Sequence, residues 1–115
     1  MVFTFSRPKY HAIPTTVDGH RFDSKLEAAY YEHLSLDPAV LHIDIHPVAT
    51  IGHGDRVKLD FLVWYASGVV VYVDVKGATK TRAASEFRRV QKRWRHPAAA
   101  LVAVTKVRGI WQKWE

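Results

Sequence analysis

Val57-Lys58-Leu59-Asp60-Phe61-Leu62-Val63-Trp64-Tyr65, then Ala66-Ser67-Gly68, then Val69-Val70-Val71-Tyr72-Val73-Asp74-Val75-Lys76-Gly77, is the stretch that decides the fold. Its β-branched and aromatic residues read as two strands, and the short link between them suits a hairpin loop with Gly in the left-handed position. Such a loop sets Tyr65 opposite Val69, and hence Asp60 opposite Asp74. Opposed side chains of an antiparallel pair have Cβ atoms about 4.5–5.5 Å apart. Asp74 and Lys76 share one face, because side chains alternate along a strand. A loop shorter by one residue would slip the register and split the two carboxylates.

Asp has poor strand propensity, and a buried carboxylate is costly without a partner. Two apolar strands that each carry one Asp, with a Lys two residues past the second, point to a metal site. Carboxylate oxygens hold hard cations such as Mg2+. The usual chemistry of such a site is phosphodiester hydrolysis: the cation activates a water and polarises a phosphoryl oxygen, and a Lys orients that water. Asp60, Asp74 and the backbone carbonyl of Val75 are the candidate ligands, and Lys76 is the candidate orienting group.

Working outward, Leu41 to Ile51 reads as a preceding strand, followed by a turn at Gly52-His53-Gly54-Asp55. Before it, Asp23 or Ser24 is a good helix N-cap, and Ser24-Lys25-Leu26-Glu27 fits a capping box. Leu26, Ala29, Tyr30, His33 and Leu34 share a face at helical spacing, and the helix must end before Asp37-Pro38. Residues 1–21 read as an extended arm, with Asp18-Gly19 as the turn signal of a small hairpin. After Gly77, a helix over Ala83 to Arg95 carries Ala83, Phe87, Val90 and Trp94 on its apolar stripe. Ala99 to Val104 then reads as a buried strand, parallel to the third and reached by a helical crossover. Residues 106–115 form a basic tail with Trp111 and Trp114. The expected architecture is a single α/β domain over 1–115, a mixed sheet flanked by helices in the order αβββαβ.

Composition narrows the function. A length of 115 residues with 48% hydrophobic content and four Trp suits one folded domain. The absence of Cys excludes disulfides and thiolate zinc sites. The longest apolar stretch, Phe61 to Val73, is interrupted by Ser67-Gly68 and too short to span a membrane. The start lacks a basic segment followed by an apolar one, so the expectation is a cytoplasmic protein with no membrane partner. Residues 1–75 hold 6 Lys/Arg and 9 Asp/Glu, whereas residues 76–115 hold 11 and 2. An acidic centre beside a basic half suits a chain that binds metal ions and a polyanion together. Lys80, Arg82, Arg89 and Lys92 are the candidate phosphate contacts, which position a duplex without reading its sequence. His42 and His46 lie four apart with Asp44 between them, which makes them ordinary polar strand residues or a zinc pair. No Ser has a local nucleophile context. Trp111 and Trp114 read as core packing or a dimer seam, with stacking on unpaired bases as the alternative.

Asp60 followed by Asp74-Val75-Lys76 resembles the PD-(D/E)xK nuclease superfamily. Lys9-Tyr10-His11-Ala12, Thr16-Val17-Asp18-Gly19, Phe22-Asp23-Ser24-Lys25-Leu26-Glu27-Ala28-Ala29-Tyr30-Tyr31 and Asp74-Val75-Lys76-Gly77 are similar to small phage-encoded endonucleases grouped with Holliday-junction resolvases. The resemblance implies a restriction-endonuclease-like core and Mg2+ or Mn2+ as cofactor. Asp60 and Asp74 would bind the metal, Lys76 would assist the attacking water, and Glu27 would be an added acid from the first helix. It also implies a homodimer acting on branched or four-way-junction DNA, in the bacterial host cytoplasm if phage-encoded. Where such relatives tend to have Gln-Pro, this chain has His46-Pro47, which makes His46 a candidate neighbour of the site. Leu34 to Pro47 is also similar to the nuclease subunit of Tn7-type transposases, in the same superfamily, so a transposase-type or a nicking repair endonuclease is the alternative nuclease role. A DNA-binding module that kept the fold and lost its chemistry is the non-enzymatic alternative.

Overall fold

The computed structural model describes residues 2–3, 13–51, 54–77, 82–96 and 98–114. Its centre is a five-stranded mixed sheet built from Val40–Ile45 (β4), Phe61–Tyr65 (β7), Val70–Val75 (β8), Ala100–Val107 (β9) and Ile110–Lys113 (β10), in the order β10-β9-β8-β7-β4. The pivotal hairpin has the expected register: Phe61 pairs with Val73 and Trp64 with Val70. The Tyr65 N–H donates to the Val69 carbonyl at 2.9 Å, and Gly68 takes φ +92°, a left-handed conformation that glycine adopts without Cβ strain.

Lys25–Ser35 (α1) and Arg82–Arg93 (α2) cover opposite faces of this sheet. Under α1, Ala28, Tyr30 and Leu34 pack on Phe61, Val63, Val73 and Val104. Under α2, Phe87 and Val90 pack on Tyr72, Leu101 and Ala103. Strand alternation sends Val73 to one side and Tyr72 to the other. β8 and β9 run parallel, with α2 as the crossover between them.

Several expectations need correction. The strand expected over 41–51 is two strands, β4 and Val48–Thr50 (β5), interrupted by His46-Pro47. The strand expected over 57–65 is likewise split into Arg56–Lys58 (β6) and β7. β5 pairs with β6, and β4 with β7, so both halves of this ribbon break together. The break is stitched by His46 N–H to the Asp60 carbonyl and Leu59 N–H to the Pro47 carbonyl, both 2.9 Å. Asp60 therefore sits at the bend and not inside a strand. Pro47 cannot donate a ladder bond and His46 has φ +53°, which explains why the ribbon turns there.

Val2–Phe3 (β1) pairs parallel with β6, and Thr15–Val17 (β2) with His20–Phe22 (β3) forms the hairpin signalled by Asp18-Gly19. The tail over 106–115 contains β10, an edge strand paired antiparallel with β9. The buried face of α1 holds Ala28 in place of Ala29, with His33 exposed; that of α2 holds Ala84 in place of Ala83. α2 ends at Arg93 and not Arg95; beyond it the Trp94 indole donates to the Ala99 carbonyl. Lys9-Tyr10-His11-Ala12, Gly52-His53 and Lys80 lie outside the described residues.

Candidate metal centre

The hairpin register and the ribbon break bring three carboxyl groups and an ammonium together. Asp74 is the last residue but one of β8, Lys76 follows that strand, Asp60 comes from the bend before β7, and Glu27 comes from the first turn of α1. Glu27, Asp74 and Lys76 are buried, at 5%, 2% and 6% exposure. The Asp60 residue keeps some surface, but its carboxyl is enclosed by protein. The Val75 N–H donates to Asp60 Oδ2 at 2.7 Å. Lys76 forms an ion pair with Asp74. The Asp60 carboxyl lies near enough to Glu27 and Asp74 for their charges to act on it.

Adjacent acids in a dry setting resist ionisation together. Burial first, and then the negative charge of Asp74, push the Asp60 carboxyl well above the usual carboxylate range. Burial raises Asp74 too, against the opposing pull of Lys76. Carboxyls in contact need protons or a cation between them, and buried carboxylates are paired or coordinate metals. Carboxylate oxygens are the donors a hard divalent cation takes; among the described residues, the group of three whose ligand atoms all lie within 4.8 Å of one another is Asp23, Glu27 and His46.

Glu27 serves the helix as well. Ser24 is the N-cap, and its Oγ accepts the Glu27 N–H at 3.1 Å. Glu27 Oε2 reaches back to the Asp23 N–H at 2.8 Å, one residue earlier than a standard capping box would place it. The two readings of this Glu are thus compatible.

His46 is brought to the same place. Its left-handed backbone breaks strand alternation, so it leaves the face of His42 and Asp44. His42 stays outside, bonded to Asp44 at 2.8 Å, and Trp64 donates to the other Asp44 oxygen at 3.0 Å. His46 Nε2 lies 3.8 Å from both Asp23 Oδ2 and Glu27 Oε2. Asp23 is the residue that sequence reasoning missed. It reads naturally as a cap, and only its closeness to Glu27 in the chain hinted at a shared site.

The basic candidates are divided by the fold. Arg82, Arg89 and Lys92 are exposed on α2, with Arg82 pairing to Glu86 at 3.3 Å. Arg88 lies over the Trp114 ring at 4.5 Å and Arg93 pairs with Asp55, so these two bind the fold itself. Trp111 packs edge-on against Tyr30 at 4.8 Å and Trp114 against Phe87 at 5.8 Å, so both tail tryptophans belong to the core. Among the described residues, no helix is long and apolar enough to cross a membrane.

No curated protein matches the chain. A model of the family DUF1064, proteins of unknown function, matches residues 7–108. That span holds every member of the carboxylate cluster, and the chain belongs to this family.

Proposed function

We propose that the protein is a divalent-metal-dependent endonuclease of the restriction-endonuclease-like fold that cuts branched DNA, as a Holliday-junction resolvase does. The observation that carries this reading is the enclosed meeting of Glu27, Asp60 and Asp74 beside Lys76. Nothing in folding needs three acids and a lysine in one dry corner, and their mutual repulsion works against it.

Asp60 and Asp74 would hold the cation, with Glu27 completing the oxygen set. Mg2+ or Mn2+ bound there supplies an activated nucleophile and relieves phosphoryl charge. The Lys76 ammonium, anchored by Asp74, orients the attacking water and stabilises charge developing on the phosphate. The Val75 N–H fixes the Asp60 carboxylate, which spares reorganisation during the reaction. Arg82, Arg89 and Lys92 on the outer side of α2 hold the DNA backbone. Paired cuts in a symmetric junction require two sites related by a twofold axis, so the active form is a homodimer.

Incubation with a labelled four-way junction and the matching linear duplex, with Mg2+ or Mn2+ and with EDTA, tests this reading. Symmetric paired cuts in the junction alone are expected, and EDTA abolishes them. Equal cutting of duplex would remove junction specificity. Salt-sensitive binding with no cutting in either metal would leave a DNA-binding module.

A further inference from the structure

We infer that Asp23, Glu27 and His46 form a second cation position beside the Asp60–Asp74 pair, one that takes a divalent transition metal such as Mn2+ in preference to Mg2+. The inference rests on the metal-centre reading and extends it to residues that reading does not use. One ligand atom from each of the three residues lies within 4.8 Å of the other two. Ion–donor bonds of about 2.1 Å put neighbouring donors about 3 Å apart and opposed donors about 4.2 Å apart. The two 3.8 Å separations from His46 Nε2 exceed the spacing of neighbouring donors by less than about 1 Å, so a shift of that size brings the donors onto one cation.

The second observation is His46 itself. Its Nε2 is shielded from solvent and has no hydrogen-bond partner, although two carboxylates face it. A shielded polar atom without a partner is rare and calls for an explanation. A bound cation satisfies it. The residue also adopts φ +53°, a left-handed conformation that His, like Asn and Asp, takes more readily than other side chains, and it turns the ring off the strand face. Phe22 packs edge-on to the imidazole at 6.4 Å and holds it in place. Strained backbone at a site is retained when the surrounding structure over-determines it.

The two positions are linked. Glu27 takes part in both, and the His46 N–H donates to the Asp60 carbonyl. The donor chemistry differs between them. Asp60 and Asp74 offer oxygens only, which suits Mg2+. His46 adds a neutral imidazole nitrogen, a ligand that transition metals bind better than Mg2+ does.

The test is a count of bound Mn2+ by electron paramagnetic resonance on the intact protein without DNA. The native protein should bind two Mn2+ per chain. Pulsed spectra should show nitrogen coupling, which histidine labelled with 15N shifts. Asp74→Asn should bind one Mn2+ and keep that coupling. His46→Ala should lose the coupling and bind its second Mn2+ at least tenfold more weakly. His46→Gln, which places an oxygen near the same point, should restore a second ion and lose the preference over Mg2+. Absence of nitrogen coupling in the native protein, or an unchanged count in His46→Ala, would overturn the proposal. The native spectrum needs no variant to fold. Loss of the nuclease reading would show separately, as two bound Mn2+ with no cleavage of any DNA.

Discussion

Glu27 serves the end of a helix and lies beside a buried carboxyl at the same time. Ser24 caps α1 through the Glu27 N–H, while the Glu27 carboxyl faces inward to Asp60. Ser24→Ala should therefore cost about 1 kcal/mol in chemical denaturation, the usual value of an N-cap. It should leave the metal count intact. Asp60 and Asp74 respond differently. Burial, then the Asp74 charge, raises Asp60, and burial raises Asp74 despite Lys76. A carboxyl with a raised folded pKa holds its proton in the folded state after the unfolded chain has released it. Its contribution to stability is full below the unfolded value, about 4, and is lost as pH rises through the folded one. In EDTA, Asp60→Asn should thus gain stability over the native protein as pH rises above about 4. Parallel denaturation curves for the two proteins across that range would contradict this. Added Mn2+ should stabilise the native protein more at higher pH, because the ligands must be deprotonated. The β7–β8 register, which ends with Phe61 opposite Val73, was legible in the sequence because the loop length set it; the bend that takes Asp60 out of the strand was not. Asp23 and His46 were not, since a positive-φ histidine overrides the alternation on which strand reading depends.

At the scale of elements, the chain places its chemistry where two paired strands bend together. A continuous ribbon would carry Asp60 within a strand; the bend at His46-Pro47 and Leu59-Asp60 instead frees its carboxyl to accept the Val75 N–H. α2 then closes the far side through Phe87, fully buried and 5.4 Å beneath the Lys76 ammonium. Phe87→Ala should cost about 3–5 kcal/mol of stability, measured by chemical denaturation. Helix existence, the β7–β8 register and the parallel β8–β9 crossover were readable from periodicity and loop residues. The edge strand β10 was not. Its Trp111 and Lys113, set among Lys106, Arg108 and Trp114, resemble a basic tail, although Arg108-Gly109, both at positive φ, form the same kind of turn as Asp18-Gly19. Trp111 and Trp114 look available for stacking on bases until Tyr30 and Phe87 are seen to hold them.

Across the whole molecule, charge is sorted as the sequence sorted it. The basic half supplies α2, whose exposed Arg82, Arg89 and Lys92 lie opposite its buried stripe, and the acids converge at the sheet bend. Removing one phosphate-binding cation should lower the salt dependence of DNA binding by about one unit of the logarithmic slope. Arg89→Ala with Lys92→Ala should therefore flatten that slope by about two, measured by binding at several salt concentrations. Cation binding in the absence of DNA should be unchanged in that variant. The most direct measurement of the central claim compares the native protein with Asp74→Asn on junction, flap, fork and duplex DNA in Mn2+. Asp74→Asn should lose at least about a hundredfold in cleavage, as expected when a ligand of the cation that relieves phosphoryl charge is removed. Cleavage of every substrate at the native rate by Asp74→Asn would contradict it.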